Sequence, residues 1–398
     1  MRNSLAKTML KNKKILLAVC GSIAFYKAYE ILSLLKKQGA DVYVALSEGV
    51  LEFCSVSGFE ALSEHKILSS QTQNWQDGVN HIAYSKMDLV LIAPASVNTI
   101  NKLTAGICDN VFMQTLIAAS HVPLVVAPAA NNNMIEHFAT QNSLEILKKN
   151  GALVVEPVLK TLACGDVGKG ALANPEVIVE AAIKRLSKPL FAGKKVVITG
   201  GATTEKIDDV RAITNFSSGK MARALARAFY YAGAEVKLLA SFKTSGEPFL
   251  SLKFSSSSEL LELCKSECEG ANLLVMCAAV SDFVPTKIDG KIKKEDVGES
   301  LNLNLKRNVD ILQSLSKFSC KKIGFKLEIS NENALKSARS MLEKKALDAV
   351  CLNILGEKNG FASEQNEVNF ITKDDEILLP LASKDEISGR IVELAADL

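Results

Sequence analysis

The sequence lacks the features that mark membrane-spanning and nucleic-acid-binding proteins. Nowhere do about 18 apolar residues run together, the length that a membrane-spanning helix requires. Lysine and arginine number 47 against 44 aspartates and glutamates, and the net charge of +3 is far from the basic excess that binding a phosphate backbone needs. We therefore expect neither a membrane nor a nucleic acid as a partner.

The nine cysteines have neither the spacing of a disulfide scaffold nor that expected of a zinc site. Their number is odd, and the nearest pair, Cys264 and Cys268, has no second pair and no histidine close to it. We expect reduced thiols and a cytoplasmic location. The apolar run from Ile15 to Cys20 follows lysines, but it is too short for a secretion signal and continues into an amphipathic segment.

The pattern of apolar segments predicts the domain organisation. A length of 398 residues predicts two or three domains at about 150 residues each. Residues 15–46 indicate a strand, a helix and a second strand, and short apolar strands then alternate with helical stretches such as 98–120. The pattern restarts near residue 190 with strand 196–199, a long loop and a helix from about 220, and a hairpin is expected near the end. Continuous apolar strands of this kind favour an α/β fold: two Rossmann-like domains with parallel sheets, spanning residues 1–188 and 189–398.

Polar residues follow the first two predicted strands, at the sheet edge where ligands bind in such folds. Gly21 and Ser22 start a helix, whose free N–H groups and dipole can hold a phosphate, although an ordinary tight turn has the same residues. Ser47 either adds a hydroxyl group to this site or caps the next segment. The GxGxxG spacing is absent, which disfavours a nicotinamide dinucleotide.

Amide side chains follow the next two strands. In the segment PASVNT at 94–99, Ser96 is read either as a plain helix cap or, with Asn98 in the first turn, as part of a binding site. Three consecutive asparagines at 131–133 precede Met134. They are costly to bury without partners, so at least one is expected to reach a ligand.

Two further residues offer proton and thiol chemistry. His81 precedes the strand at 89–93, and a lone histidine is read either as a structural residue or as a catalyst. Cys164 lies in a glycine-rich segment at 162–170 that we expect to form a mobile loop. A cysteine exposed on a loop is chemically available, whereas a buried one is inert.

These motifs, taken in order, resemble the flavin-dependent cysteine-decarboxylase family: GSIAFYK at 21–27, His81, PASVNT, PAANNNM at 128–134 and ACGD at 163–166. The resemblance implies a flavodoxin-like domain that binds FMN, oxidises a substrate cysteine thiol, releases CO2 and returns the hydride. It implies that His81 is the base, that Asn131 binds the substrate carboxylate and that Cys164 donates the closing proton. The residues implied to hold FMN are Gly21, Ser22, Ser47, Ser96, Asn98 and Met134. Ala130 departs from the family pattern, which has methionine there.

The second domain contains two clusters at predicted strand ends. The segment RAITNFSSGK at 211–220 places an arginine, an amide and hydroxyl groups at a helix start, read either as a phosphate cradle or as a serine-capped helix on a surface loop. Asp282 follows the strand at 273–277, where it could meet a ribose or a metal-bound nucleotide. A lysine-rich loop at 286–296 comes next, either a solvated face or a neutraliser of phosphate charge.

These segments resemble the phosphopantothenate-cysteine ligase family, whose fusion to the decarboxylase is the bifunctional enzyme of bacterial coenzyme A synthesis. The resemblance implies that CTP, with Mg²⁺, activates 4'-phosphopantothenate as an acyl-cytidylate, which the amine of L-cysteine attacks. Asn215 would steer the acyl-cytidylate, Arg211 would assist it and Lys291 would contact phosphates. The residues implied to hold the nucleotide are Ala278, Asp282, Val309, Asp310, Ile311, Leu312, Phe325 and Lys345. The departures from the family pattern are Ala202, Ala222 and Met341, the last where a lysine is usual.

Two other functions remain open from the sequence. One is a regulatory FMN-binding protein without catalysis, which the presence of Asn131, Cys164 and a ligase half disfavours. The other is a general flavin oxidoreductase, which the missing nicotinamide fingerprint disfavours. For the favoured enzyme, the resemblance implies a homo-oligomer with trimeric decarboxylase halves and dimeric ligase halves, assembled as a dodecamer with active sites at subunit contacts.

Overall fold

The computed structural model describes residues 9–74, 80–161, 167–293, 295, 299–330, 332–356, 360 and 363–398. The chain divides into two compact units, Met1–Ser187 and Lys188–Leu398. Each unit is an α/β structure built on a sheet of buried, mostly apolar strands, so the predicted fold class is confirmed.

The first unit contains a parallel sheet with the order β2-β1-β3-β4-β5. This is the flavodoxin-like order, in which ligands bind where the direction of winding reverses, here between β1 and β3. The central strands are buried along nearly their whole length because helices cover both faces. The strands are β1 Lys14–Val19, β2 Asp41–Leu46, β3 Leu89–Ala95, β4 Leu124–Pro128 and β5 Leu153–Val154.

Two of the helical stretches that the sequence predicted in this unit are divided in the structure. The first begins with a separate 3-10 turn, Ile23–Tyr26, and the stretch 98–120 is interrupted where Asn110 caps a new helix by accepting a bond from the Met113 N–H at 2.9 Å. The helices are α1 Lys27–Lys37, α2 Glu48–Leu51, α3 Ser57–Ser63, α4 Asn80–Ser85, α5 Val97–Thr104, α6 Val111–Ala118, α7 Asn132–Glu136, α8 Phe138–Lys149 and α9 Pro175–Leu186.

A separate antiparallel hairpin, β6 Val158–Thr161 and β7 Val167–Ala171, follows the sheet. The sequence predicted a mobile loop at 162–170, but residues 167–170 belong to β7. Residues 162–166, with Cys164, connect the two strands and lie outside the described residues. The hairpin is tied to the loop after β4, because the Ala130 N–H donates to the Gly170 carbonyl at 3.0 Å and the Lys169 N–H donates to Asn132 Oδ1 at 3.0 Å.

The second unit has a mixed sheet with the order β12-β11-β8-β13-β16-β17-β18-β19. The first six strands of this order, from β12 through β11, β8, β13 and β16 to β17, are parallel and follow the Rossmann order. The predicted terminal hairpin, β18 and β19, joins the same sheet antiparallel to β17. The sheet is therefore parallel only in part. Its strands are β8 Lys195–Gly200, β11 Glu235–Ala240, β12 Leu250–Lys253, β13 Leu273–Met276, β16 Lys321–Glu328, β17 Ala349–Ile354, β18 Gln365–Ile371 and β19 Glu376–Ser383.

Helices pack on both faces of this sheet, and two small hairpins extend beyond its carboxyl edge. One core cluster contains α10 and α14, and another contains α11, α12 and α13. The predicted long loop after β8 contains one of the hairpins, β9 Thr204–Lys206 and β10 Ala212–Thr214; the other is β14 Phe283–Pro285 and β15 Leu305–Arg307. The helices are α10 Lys220–Tyr231, α11 Ser257–Cys268, α12 Ile311–Ser314, α13 Ala334–Lys344 and α14 Lys384–Ala395.

Candidate functional site

A cavity of about 820 Å³ opens at the carboxyl edge of the first sheet, around the ends of β1, β3 and β4. Its volume is within the range of about 300–1,000 Å³ that is usual for small-molecule and cofactor sites. The cavity brings together most of the residues that the sequence singled out in this unit: Gly21, Ser22, Ser47, Ser96, Asn98, Asn131 and Met134.

The serines of this cavity also hold its backbone in place. Ser47 Oγ accepts the Gly21 N–H at 3.1 Å, Ser22 Oγ accepts the Ala24 N–H at 3.3 Å, and Ser96 Oγ accepts the Thr99 N–H at 3.3 Å. Ser22 and Ser96 both cap a helix start and line the cavity, whereas Ser47 lines the cavity but makes no side-chain capping bond to α2. Gly21 has to be glycine, because a Cβ there would be 2.7 Å from the carbonyl carbon of Gly49.

The three consecutive asparagines have different positions. Asn131 is half-buried, lines the cavity and caps α7 by accepting the Asn133 N–H at 2.9 Å. Asn132 faces the β6–β7 hairpin, whose Lys169 N–H it accepts. Asn133 is exposed. Asn131 is therefore the asparagine placed to meet a ligand.

His81 and Cys164 are not placed at this cavity by the described structure. His81 lies half-buried on α4 and is not among the described residues that line the cavity. Cys164 lies outside the described residues, between the paired ends of β6 and β7.

Sequence reasoning missed the positive charges of this cavity. Lys27, Lys102 and Lys160 line it, and Lys102 is paired with Asp109. The Lys27 ammonium donates to the Leu172 carbonyl at 3.1 Å, and burial, together with the charge of Lys160, lowers its pKa. The signal was present for Lys27, the last residue of the GSIAFYK motif.

A second cavity, of about 1010 Å³, lies at the carboxyl edge of the second sheet, around the ends of β13, β16 and β17. It brings together residues from segments that are far apart in the chain. The predicted residues that line it are Asn215, Ala278, Asp282, Val309, Asp310, Ile311, Leu312, Phe325 and Lys345.

Buried threonines fix the loop that follows β13. Thr199 Oγ1 accepts the N–H groups of Cys277 at 3.2 Å and Ala278 at 3.1 Å, and Thr203 Oγ1 accepts the Ser281 N–H at 3.1 Å. Burial raises the pKa of the Cys277 thiol to about 12, so this thiol stays protonated at neutral pH. Sequence reasoning assigned no role to these threonines.

Asp310 and Lys345, both predicted to hold the nucleotide, are in contact with each other. The Lys345 ammonium is 2.9 Å from Asp310 Oδ2, and Asp310 Oδ1 accepts the Gln313 N–H at 3.1 Å as the cap of α12. The same carboxylate therefore fixes a cation and the start of the helix that carries Ile311 and Leu312.

Arg211 and Lys291 are not among the described residues that line this cavity. The Arg211 guanidinium donates to buried Asp208 at 3.2 Å and to the Ile292 carbonyl at 3.2 Å. Burial raises the pKa of Asp208, but the N–H groups of Val210, Arg211 and Ile292 and the Arg211 charge outweigh it and lower the pKa overall. Arg211 thus ties the β9–β10 hairpin to the lysine-rich loop.

Two general findings concern the described residues as a whole. They contain no group of three histidine, cysteine, aspartate or glutamate side chains arranged to hold a metal ion. Their helices also include none that is both long enough and apolar enough to cross a membrane.

Family comparisons agree with this division into two sites. Residues 3–187 match the model of the Flavoprotein family, and residues 191–398 match the DNA/pantothenate metabolism flavoprotein C-terminal domain. The chain is 37% identical over 401 residues to the coenzyme A biosynthesis bifunctional protein CoaBC of Bacillus subtilis, with 98% of each chain covered. It is 34% identical to the protein of the same name from Vibrio cholerae, with 97% of this chain and 98% of that protein covered.

A solved structure is similar to one half of the chain. It is the crystal structure of a CoaBC C-terminal domain, 29% identical, covering 53% of this chain and 97% of that one with a TM-score of 0.43. The two family models and the full-length relatives together identify the chain. It belongs to the family of bifunctional coenzyme A biosynthesis proteins and is an enzyme with a phosphopantothenoylcysteine decarboxylase half and a phosphopantothenate-cysteine ligase half.

Proposed function

We propose that the first unit uses FMN to decarboxylate 4'-phospho-N-pantothenoylcysteine, and that the second unit makes this compound from phosphopantothenate, cysteine and CTP with Mg²⁺. The observation that carries the proposal is the pair of cavities at the two carboxyl sheet edges, each lined by the motif residues of its own unit. The product would be 4'-phosphopantetheine.

The donor set of the first cavity fits FMN. The start of α5, capped by Ser96, and the ammonium groups of Lys27 and Lys160 suit a phosphate. Apolar side chains, among them Phe112 and Met113, line the rest of the cavity and suit a planar ring. The residues proposed to hold FMN are Gly21, Ser22, Ser47, Ser96, Asn98 and Met134.

The residues of the chain then have separate roles in the decarboxylation. FMN, when bound, supplies the two-electron acceptor for oxidation of the substrate thiol. The neutral amide of Asn131 orients the substrate carboxylate without holding its charge in place, so the carboxylate can leave as CO2. His81 takes a proton as the base, and the Cys164 thiol returns one at the end.

The position of His81 supports an oligomeric active site. His81 is not among the described residues that line the cavity of its own unit, and a neighbouring copy of the chain at a subunit contact would supply it. We propose trimeric decarboxylase halves, dimeric ligase halves and a dodecameric whole. Light scattering of the purified protein measures this state. The described cysteines are free thiols, as expected for the proposed cytoplasmic location.

The Cys164→Ala variant tests the decarboxylase half. We expect CO2 release without formation of the reduced thiol, because the closing proton is missing. Cys108→Ala is the matched control, since Cys108 is exposed and lines neither cavity in the described structure. Normal product from Cys164→Ala would remove this cysteine from the mechanism.

The second cavity supports nucleotide-dependent ligation. Asn215 steers the acyl-cytidylate, and Arg211 assists by holding the loop that carries Lys291, which contacts phosphates. Because Thr199 accepts the N–H groups of Cys277 and Ala278, the backbone of these two residues offers the base carbonyl oxygens. Carbonyl oxygens accept bonds from the amino group of cytosine. The residues proposed to hold the nucleotide are Ala278, Asp282, Val309, Asp310, Ile311, Leu312, Phe325 and Lys345.

One incubation tests both halves together. The protein is mixed with phosphopantothenate, cysteine, Mg²⁺ and either CTP or ATP, and the products are followed by mass spectrometry. Phosphopantetheine formed with CTP supports the whole proposal, while the cysteine adduct alone locates the fault in the flavin half. Absence of any adduct contradicts the ligase assignment. Asn215→Asp should slow amide formation while nucleotide binding persists.

A further inference from the structure

One end of the ligase cavity carries positive charge that no proposed role has used. Lys220, at the start of α10, and Lys384, at the start of α14, both line the cavity there. Lys220 contacts the carboxylate of Glu364, and the Lys384 ammonium donates to the Ser363 carbonyl. Backbone contacts bring the segments together, because the Lys384 N–H donates to the Glu364 carbonyl at 3.1 Å.

Lys384 differs from the other lysines of this cavity. Lys345 pairs with Asp310 at 2.9 Å, Lys326 pairs with Glu328 at 3.2 Å, and Lys220 pairs with Glu364. Within the described part of the chain, Lys384 has no carboxylate within ion-pair distance. A half-buried ammonium bonded to a neutral carbonyl retains most of its charge for an anion that enters the cavity.

The surroundings of Lys384 disfavour its charged form. Burial lowers its pKa, the nearby charge of Lys220 lowers it further, and Glu364 and Cys277 oppose these effects only in part. An ammonium that has lost water and faces a like charge gains more from a bound anion than an exposed lysine does. The N–H groups of Cys277 and Ala278 are already used by Thr199, so they do not compete for that anion.

We propose that Lys384 binds a phosphate group of a ligase substrate, with Lys220 beside it. Two of the substrates proposed for this unit carry phosphate: the nucleotide has a triphosphate, and phosphopantothenate has a single terminal phosphate. The inference rests on the proposed nucleotide-dependent ligation and adds to it a residue on the last helix of the chain.

The test compares Lys384→Met with Lys384→Arg in the full-length enzyme. A hydrogen bond between charged groups is worth enough that its loss should raise the KM for one phosphorylated substrate by about 10- to 100-fold. The arginine variant keeps the charge and should stay within a few-fold of the wild type. Lys265→Met is the matched control, because it removes a lysine from the exposed face of α11.

The two arms of the assay separate the two sources of phosphate. A higher KM for CTP with an unchanged KM for phosphopantothenate assigns Lys384 to the triphosphate, and the reverse assigns it to the single phosphate. Both constants unchanged in a folded Lys384→Met overturn the inference. If the methionine variant fails to fold, Lys384→Gln takes its place with the same expected increase and the same refutation.

A failure of the proposed function gives a different result. In that case the wild type forms no adduct with any nucleoside triphosphate, so the defect does not depend on Lys384. Inorganic pyrophosphate titrated against the wild type and Lys384→Met then measures anion binding directly. Weaker binding by the variant supports the role of Lys384, and equal binding refutes it.

Discussion

Gly170→Ala should detach the β6–β7 hairpin from the loop after β4 and lower decarboxylation. The ligase half should stay active. A Cβ at residue 170 would be 2.1 Å from the Ala130 carbonyl oxygen and 3.3 Å from the Asn132 nitrogen. The Ala130 oxygen belongs to the backbone and cannot turn away as the end of a side chain can. Because Ala130 precedes Asn131, this contact decides how the hairpin lies against the proposed carboxylate site.

The magnitude follows from the distances. Ordinary contact begins at 3.4 Å, so the two segments must separate by roughly 1.3 Å, the difference between 3.4 and 2.1 Å. The Ala130 N–H bond to the Gly170 carbonyl and the Lys169 N–H bond to Asn132, both 3.0 Å long, would then be lost or weakened. At about 0.5–1.5 kcal/mol for each bond, the attached hairpin is destabilised by about 1–3 kcal/mol, or about 5- to 150-fold in the ratio of attached to detached hairpin.

The assay measures both activities of the same preparation. Decarboxylation of the cysteine adduct should fall by about the factor by which the attached hairpin is depopulated, while ligation proceeds at the wild-type rate. Gly151→Ala is the matched control. Gly151 has a φ of +84° with only Arg185 Nη2 near, at 3.9 Å, so this change adds backbone strain of about 1–2 kcal/mol away from the hairpin.

Full decarboxylase activity in Gly170→Ala would refute the reasoning, because it would mean that attachment of the hairpin is irrelevant to the chemistry. Equal losses in Gly170→Ala and Gly151→Ala would also refute it, since the cause would then be general destabilisation. Thermal unfolding of both variants distinguishes a local change from a global one.

Three further predictions concern the ligase unit. Asp310→Ala removes the cap of α12, at a cost of about 0.5–2 kcal/mol, and it also removes the ion-pair partner of Lys345. The KM for CTP should therefore rise. The control Asp374→Ala, in the turn between β18 and β19, should leave the KM for CTP unchanged. As the pH rises, wild-type affinity for pyrophosphate, measured by calorimetry, should fall more steeply than that of Lys384→Arg, because the pKa of Lys384 is lowered and its ammonium loses a proton that arginine keeps. Arg211→Lys cannot bridge the carboxylate and carbonyl that the guanidinium spans, so ligation should slow while decarboxylation, measured in parallel, does not change.

The strands were predictable where burial on both faces leaves an unbroken apolar run. β1, β3, β8 and β13 all have this pattern and were predicted within a few residues. The edge strand β12, with the sequence LSLK, was missed because it is only partly buried. The β9–β10 hairpin was read as a loop, since its three-residue strands are too short to show a period.

The site was predictable as far as it depends on strand ends. Residues directly after a parallel strand meet at one edge, so Ser96 and Asp282 were placed at their cavities from the sequence. Arg211 depends instead on a buried carboxylate three residues earlier, Asp208, and on a loop about eighty positions away in the chain. Lys384 follows a strand that is antiparallel to its neighbour, where the rule about carboxyl ends gives no guidance.

The two units differ in which groups they offer to an anion at the carboxyl edge of the sheet, and Thr199 on β8 causes the difference. In the first unit, serine hydroxyl groups cap the turns after β1 and β3, and the start of α5 faces the cavity. In the second unit, Thr199 on β8 accepts the two N–H groups that follow β13, so they cannot bind a phosphate. Positive charge at that cavity therefore has to come from side chains and from the start of α10, as the lysines that line it supply. The triphosphate of the proposed nucleotide would need more charge than the start of one helix provides, and Lys384, half-buried without a carboxylate partner in the described structure, would supply part of it.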